Sequence, residues 1–280
     1  MSTQDGLPPL RDIIRDLGLT ARKSLGQNFL LDFNLTRRIA RAAGPLEGAT
    51  IVEIGPGPGG LTRALLMEGA SRVIAIEKDE RCLPALAAIE AAYPSRLKIV
   101  TGDARAVDFG ALNVRSPARI VANLPYSVAT PLLIGWLKTE PWPPWFDRLV
   151  LMFQREVALR IVAKPGARDF GRLAVLSQWR TDPRILLTLP AAAFTPRPKV
   201  DSSLVEFVPK EAPQPPCDVS TLERVTAASF GQRRKMLRSS LRQITPDAEE
   251  LLQKLGIDPK RRAEELQIGD FCRIANALPR

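Results

Sequence analysis

The chain has 280 residues, 45% of them apolar, enough for one large α/β domain with a smaller appendage. It has no histidine and only three cysteines, Cys82, Cys217 and Cys272, which lie far apart. This excludes Ser-His-Asp triads, Cys-His nucleophiles and histidine-ligated metals, and points to neither a disulfide framework nor a zinc site. The net charge of +10 favours a polyanionic partner, because neutralising phosphates releases counterions.

No run approaches the roughly 20 apolar residues of a membrane span. The first residues carry Asp5, Asp12 and Asp16 and read as neither a secretory signal nor a transit peptide. Expected, then, is a cytoplasmic protein without membrane or metal partners, acting as a monomer.

From Thr50 onward short apolar runs alternate with helical patterns. Thr50 to Gly55 reads as a buried strand ending in a Gly/Pro turn, and Leu61 to Met67 starts a helix. Arg72 to Glu77 is a second strand. Asp79 to Ala92 is a helix with Asp79 as N-cap. Leu97 to Thr101, Ala118 to Ala122 and Arg148 to Phe153 are three more strands. This alternation predicts a mostly parallel sheet with helices on both faces. Arg184 to Leu189 and Ser202 to Val208 lack a helix between them and are expected to close the sheet as an antiparallel pair.

Pro209 to Asp218 holds four prolines in ten residues and reads as a linker. Thr221 to Phe230, Arg233 to Gln243, Asp247 to Lys254 and Asp270 to Ala277 then read as short helices. The expected division is a larger α/β domain over 1–210, with 1–20 as an N-terminal extension, and a small helical domain over 211–280.

The chemistry gathers at strand ends, where open α/β sheets bind ligands. Gly55-Pro56-Gly57-Pro58-Gly59-Gly60 lies between the first strand and a helix. Gly55 and Gly57 allow backbone to approach a ligand closely, and the helix start offers free N–H groups. Glu77, ending the second strand, can accept hydrogen bonds from both ribose hydroxyls. Asp103, after the third strand, can accept one from an adenine amino group. Up to this point NAD and S-adenosylmethionine fit equally.

The fourth strand is followed by Asn123-Leu124-Pro125-Tyr126. An exocyclic adenine amine is a poor nucleophile because its lone pair is shared with the ring. Acceptors around its N–H groups, from the Asn123 side chain and the Leu124 carbonyl, favour the tetrahedral geometry that attack on a methyl sulfonium needs. Tyr126 offers a face for an unstacked base. No strong base is needed, because the proton leaves a cationic amine after transfer. S-adenosylmethionine is therefore the expected cofactor.

These strings, with Lys23-Ser24-Leu25-Gly26-Gln27-Asn28-Phe29-Leu30, Val52 to Thr62, Phe194 to Val205 (FTPRPKVDSSLV) and Gly231 to Leu241 (GQRRKMLRSSL), resemble the KsgA-type small-subunit ribosomal RNA adenine N6-dimethyltransferase family. The resemblance runs from about Arg22 to the C-terminal helices. It implies a Rossmann-like S-adenosylmethionine-dependent methyltransferase sheet and a small all-helical C-terminal domain. It further implies dimethylation of two adjacent adenosines in the 3′-terminal hairpin of 16S rRNA, in an immature small ribosomal subunit. Carried over by position, Asn28 and Leu30 would contact the methionine part of the cofactor. Gly55 would lie against the cofactor, Glu77 would hold the ribose and Asp103 the adenine. Asn123 would be both cofactor neighbour and amine acceptor, and Phe194 would cover the target base opposite Tyr126. Pro58 departs from the family, where an apolar residue is common.

Gln232 to Arg238 reads as a basic helix with Met236 and Leu237 turned inward, placing Arg233, Arg234, Lys235 and Arg238 against RNA. From Arg155 to Lys199 nine basic residues stand against three acidic ones. Arg155, Arg160, Arg168, Arg172 and Arg197 could extend this track. Four alternatives follow from the same residues: a large-subunit rRNA methyltransferase, an assembly factor that retains the fold, a dehydrogenase, and a cytosine-C5 enzyme using Cys217.

Overall fold

The computed structural model describes residues 5–22 and 26–278. Lys23, Ser24 and Leu25, which open the first family string, lie outside the described residues. The elements are, in chain order, α1 (Leu10–Asp16), β1 (Phe29–Leu30), α2 (Phe33–Ala42), β2 (Thr50–Ile54), α3 (Gly60–Met67), β3 (Arg72–Glu77), α4 (Leu83–Ala92), β4 (Leu97–Thr101), β5 (Ala118–Ala122) and α5 (Tyr126–Leu137). There follow β6 (Arg148–Gln154), α6 (Arg155–Val162), α7 (Arg172–Arg180), β7 (Thr181–Leu189), β8 (Phe194–Thr195), β9 (Ser202–Pro209), α8 (Val219–Gly231), α9 (Leu237–Leu241), α10 (Ala248–Lys254) and α11 (Ile268–Ala277).

The main sheet has seven strands in the order β4-β3-β2-β5-β6-β9-β7. Strands β4 to β6 of this order pair in parallel, and β9 enters antiparallel beside β6, with Leu151 opposite Val205. β2 and β5 are buried along their whole length, which is why they read as mostly apolar runs, interrupted by Glu53 and Arg119, rather than as alternating ones. The strand order reverses direction between β2 and β5, leaving a crevice above their carboxyl ends. α2 is set by Asp32, whose carboxylate accepts from the N–H groups of Asn34 and Leu35 at 2.9 and 3.2 Å.

The expected antiparallel closure is present in this form: β9 lies against β6, and β7 sits beyond it at the edge. Asp79 caps a single 3₁₀ turn, Glu80–Cys82, and the α-helix proper starts at Leu83, with Pro84 in its first turn.

The chain forms two compact units, Met1–Leu133 with Pro144–Arg155 and Ile185–Val208, and Ile134–Pro143 with Glu156–Arg184 and Pro209–Arg280. This division differs from a single boundary after residue 210, because α6 and α7 fold with the C-terminal helices. In the second unit Phe170 meets Phe230 and Phe271 at ring distances of 5.9 and 6.5 Å, and Phe230 stacks on Phe271 at 5.4 Å. The proline-rich stretch is likewise no loose linker. The Pro215 carbonyl accepts from the Trp179 indole at 3.0 Å, and the Pro216 carbonyl from the Asn276 amide at 2.8 Å.

The expected basic helix over 233–243 is corrected. Residues 232–236 form a turn, and α9 begins only at Leu237. The N–H groups of Leu237 and Arg238 donate to the carbonyls of Arg261 and Pro259 at 2.7 and 3.1 Å, satisfying a helix start at that point. Leu237 is buried, but Met236 is 43% exposed rather than turned inward. Among the described residues no helix is long and apolar enough to cross a membrane.

Candidate active site

A cavity of ≈ 320 Å³ opens at the carboxyl ends of β2, β3, β4 and β5 in the first unit. Gly55, Glu77, Asp103, Asn123, Asn28 and Phe194 are among its lining residues. Gly57, Leu30, Leu124 and Tyr126 line it too, so every residue expected to bind cofactor or target base converges there. The size is that of a small-molecule site.

The glycine loop is held in a left-handed path by Gly55, Gly57 and Gly59, with φ of +66°, +56° and +88°. At Gly59 a Cβ would stand 2.2 Å from the Ile89 Cδ1, so any other residue would displace that side chain as well as strain the left-handed backbone. The loop is tied to β3 through Glu77. This carboxylate accepts from the Gly57 N–H at 2.8 Å through Oε2 and from the Asp79 N–H at 2.7 Å through Oε1. Burial pushes the Glu77 carboxyl up from its ordinary value, and these backbone donors oppose that rise. Each oxygen keeps a lone pair for a further donor.

Asp103 is gripped by its neighbours. The Arg105 fork reaches Oδ1 through Nε at 3.0 Å and Oδ2 through Nη2 at 2.6 Å; the Arg105 N–H adds 3.0 Å and Lys78 Nζ 3.0 Å. The Arg105 guanidinium, foremost, holds this carboxyl well below the usual carboxylate range. Asp79, its charge fixed by Arg81 and by Gln27 at 2.9 Å, is held down at about 2.

Two loops remote in sequence meet over the crevice. β1 pairs antiparallel with β8, setting Leu30 opposite Phe194, which is 3% exposed. The Asn123 Nδ2 donates to the Asn28 carbonyl at 3.3 Å, and the Asn28 Nδ2 to the Gly26 carbonyl at 3.1 Å. Since the Asn28 carbonyl can only accept, this bond assigns the Asn123 nitrogen to it and turns Oδ1 the other way. Gly26 packs on Pro125, where an added Cβ would come within 3.2 Å. Pro125 precedes α5 and sets Tyr126 at its first position, where the phenol shares a 2.6 Å hydrogen bond with the buried Ser202 hydroxyl.

Several cavity residues went unnoticed in the sequence. Glu53, 1% exposed in β2, takes a 2.6 Å hydrogen bond from Thr62 Oγ1. Burial, and secondarily the Glu77 charge, push its carboxyl up to about 8. A lone carboxylate inside the apolar run Thr50–Ile54 was its visible signal. Lys78 and Arg105 lie one and two positions from Glu77 and Asp103 but carried no such signal; Leu10, and Ser202 behind Tyr126, are brought there only by the tertiary structure.

The basic residues of the second unit are more mixed than expected. Arg233 Nη2 donates to the carbonyls of Arg168 and Phe170 at 2.7 and 2.8 Å, and Arg238 pairs with Glu249 at 2.9 Å. Arg234 and Lys235 are exposed. Cys217 is half-buried in the second unit and is not among the cavity's lining residues.

An antiparallel strand inserted next to a parallel series, with acidic residues and a glycine loop at the strand ends, defines a Rossmann-like methyltransferase fold. The family model for "Ribosomal RNA adenine dimethylase" matches residues 18–279. The chain therefore belongs to the ribosomal RNA adenine dimethylase family of S-adenosylmethionine-dependent enzymes. Among curated proteins it is 61% identical to "Ribosomal RNA small subunit methyltransferase A" of Xanthobacter autotrophicus, over 99% of this chain and 96% of that one. It is 62% identical to the protein of the same name from Rhodopseudomonas palustris (strain BisB5), with the same coverage. Among solved structures the fold matches a dimethyladenosine transferase from Plasmodium falciparum, with a TM-score of 0.74, 24% identity, and 86% and 94% of the two chains covered. It also matches the 23S rRNA methyltransferase ErmE, with a TM-score of 0.66, 22% identity, and 90% and 99% covered.

Proposed function

We propose that this protein transfers methyl groups from S-adenosylmethionine to N6 of two adjacent adenosines in the 3′-terminal hairpin of 16S rRNA, during assembly of the small ribosomal subunit. The observation that carries the reading is the convergence of Glu77, Asp103 and Asn123 on one cavity beneath the Leu30–Phe194 pairing. The small-subunit names of relatives about 60% identical favour it over the large-subunit alternative. The cytoplasm is the compartment this reading implies, and a single chain supplies the whole cavity.

The residues fit the cofactor. The free lone pairs of Glu77 suit two ribose hydroxyls, and Asn28 and Leu30 flank the methionine end. At Asp103 an adenine amino group takes the place of one ion-pair donor; Lys78 and Arg105, 60% and 61% exposed, are held there by solvent-screened contacts that yield at small cost. When bound, S-adenosylmethionine supplies an electrophilic methyl group on a sulfonium. Asn123 Oδ1 and the Leu124 carbonyl accept from the N6–H groups and favour the tetrahedral nitrogen of the transition state. Tyr126, its hydroxyl anchored on Ser202, presents a ring to the extruded base, with Phe194 facing it. Arg234 and Lys235 belong to the phosphate-binding surface.

Nucleoside mass spectrometry of 16S rRNA tests this. Small subunits from a strain lacking its endogenous enzyme should gain dimethyladenosine at two adjacent positions when incubated with this protein and cofactor. Methylation of large-subunit RNA instead, or none in either, overturns the assignment.

A further inference from the structure

The N-terminal residues have no role in the reading above, yet they reach the cofactor cavity. Leu10, the first residue of α1, lines it. Its Cδ2 packs on Gly60, where an added Cβ would be 2.8 Å away, beside the Leu30 carbonyl at 3.2 Å. Leu10 thus stands over the junction of the glycine loop and α3, next to the residue expected at the methionine end. The same side chain, with Phe33 and Arg63, lines an adjoining hollow of ≈ 120 Å³.

The segment is fastened by a charge pair rather than by apolar packing alone. Arg63 of α3 donates to both oxygens of Asp5, at 2.7 and 2.8 Å, and to the Pro8 carbonyl at 2.7 Å. The two side chains are 2% and 1% exposed, and the guanidinium lies 5.6 Å over the Phe33 ring. A bidentate pair so enclosed fixes direction as well as distance. Leu7, held by its own N–H to Asp5 at 3.2 Å, packs on the main core. None of the residues in α1 is buried, so the contacts of residues 5–10, rather than the helix beyond Leu10, do the fastening.

We propose that residues 5–10 are a working wall of the cofactor site: Leu10 is a cofactor-contacting residue at the methionine end, and the Asp5–Arg63 pair is the positioning element that holds it there. A wall that closes over a bound ligand slows its escape, because the ligand leaves only when the segment lifts. Losing the wall therefore raises the dissociation rate more than it lowers the association rate. The inference rests on the S-adenosylmethionine reading, and its test separates the two.

The experiment measures S-adenosylhomocysteine binding by calorimetry and stopped-flow on the full chain. Leu10→Ala should weaken affinity on the order of tenfold, the contribution of one large apolar contact, with the loss in the dissociation rate. Leu10→Met, of similar volume, should restore most of it. Arg15→Ala, on an exposed face of α1, should bind as the parent does. For the positioning role, Asp5→Asn should speed amide exchange over residues 6–17 while the β2 and β3 amides keep their protection, and should raise the dissociation rate in parallel. If Leu10→Ala binds as tightly as the parent, Leu10 is no part of the site. If Asp5→Asn loosens β2 and β3 equally, the pair is merely structural and the positioning role is wrong. Failure of the parent protein to bind the ligand would instead strike down the cofactor reading.

Discussion

Glu77 and Gly57 are joined by a 2.8 Å hydrogen bond from the Gly57 N–H to a carboxylate oxygen at the end of β3. One side chain thereby fixes the shape of the glycine loop and faces the cavity. On the proposed reading, a residue so placed would act on the ligand twice, by direct contact and through the loop.

Glu77→Gln should therefore lose more than an ordinary contact. Whichever way the amide turns, its NH₂ meets a backbone donor, from Gly57 or from Asp79. S-adenosylmethionine affinity should fall by tenfold or more, in line with the roughly 1.5–3 kcal/mol of hydrogen bonds to a charged group. Calorimetry on the folded variant reads this; an unchanged Kd removes Glu77 from the ribose site.

Asn123→Ala should leave the fold and RNA binding near their parent state and lower the chemical step. Loss of one preorganised partner of a transition state typically costs about 10²–10³ in rate. Single-turnover methylation with RNA and cofactor saturating isolates that step. Reaction within a few-fold of the parent would show that Asn123 Oδ1 does not accept from the target amine.

Glu53 should make stability fall as pH rises. Its carboxyl is pushed up to about 8 in the folded chain against the ordinary 4.5, so the folded state binds the proton more tightly. The contribution is full below the unfolded value and is lost progressively as pH climbs through about 8. Glu53→Gln carries no titrating proton and should flatten that part of the curve, standing relatively more stable at pH 8 to 9. Denaturant midpoints across pH 5 to 9 decide it, and parallel curves for the two proteins would count against a protonated Glu53.

The turn over residues 232–236 divides its basic residues. Arg234 and Lys235 are exposed, whereas Arg233 ties two backbone carbonyls. Arg234→Glu with Lys235→Glu should weaken rRNA binding and flatten its salt dependence at unchanged Tm. Arg233→Glu should lower Tm as well. Equal slopes of log affinity against log salt for parent and double variant would place the RNA elsewhere.

The sequence alone was enough to determine the alternation of β2 to β6 with helices and which residues stand at their carboxyl ends. Buried parallel strands are continuous apolar runs, and a glycine loop or a strand-end acid is written locally, so Gly55, Glu77, Asp103 and Asn123 could be read directly. What depends on partners distant along the chain could not be. β1 and β8 have two residues each, too short to carry a period, yet their pairing sets Leu30 against Phe194. The start of α9 at Leu237 is fixed by the carbonyls of Arg261 and Pro259, and Phe170, two residues before α7, packs on Phe230 and Phe271 of α8 and α11. Only the tertiary structure brings Asp5 to Arg63 and Leu10 to Gly60, because enclosing a charge pair and filling the space over a glycine are properties of the surroundings, not of either segment.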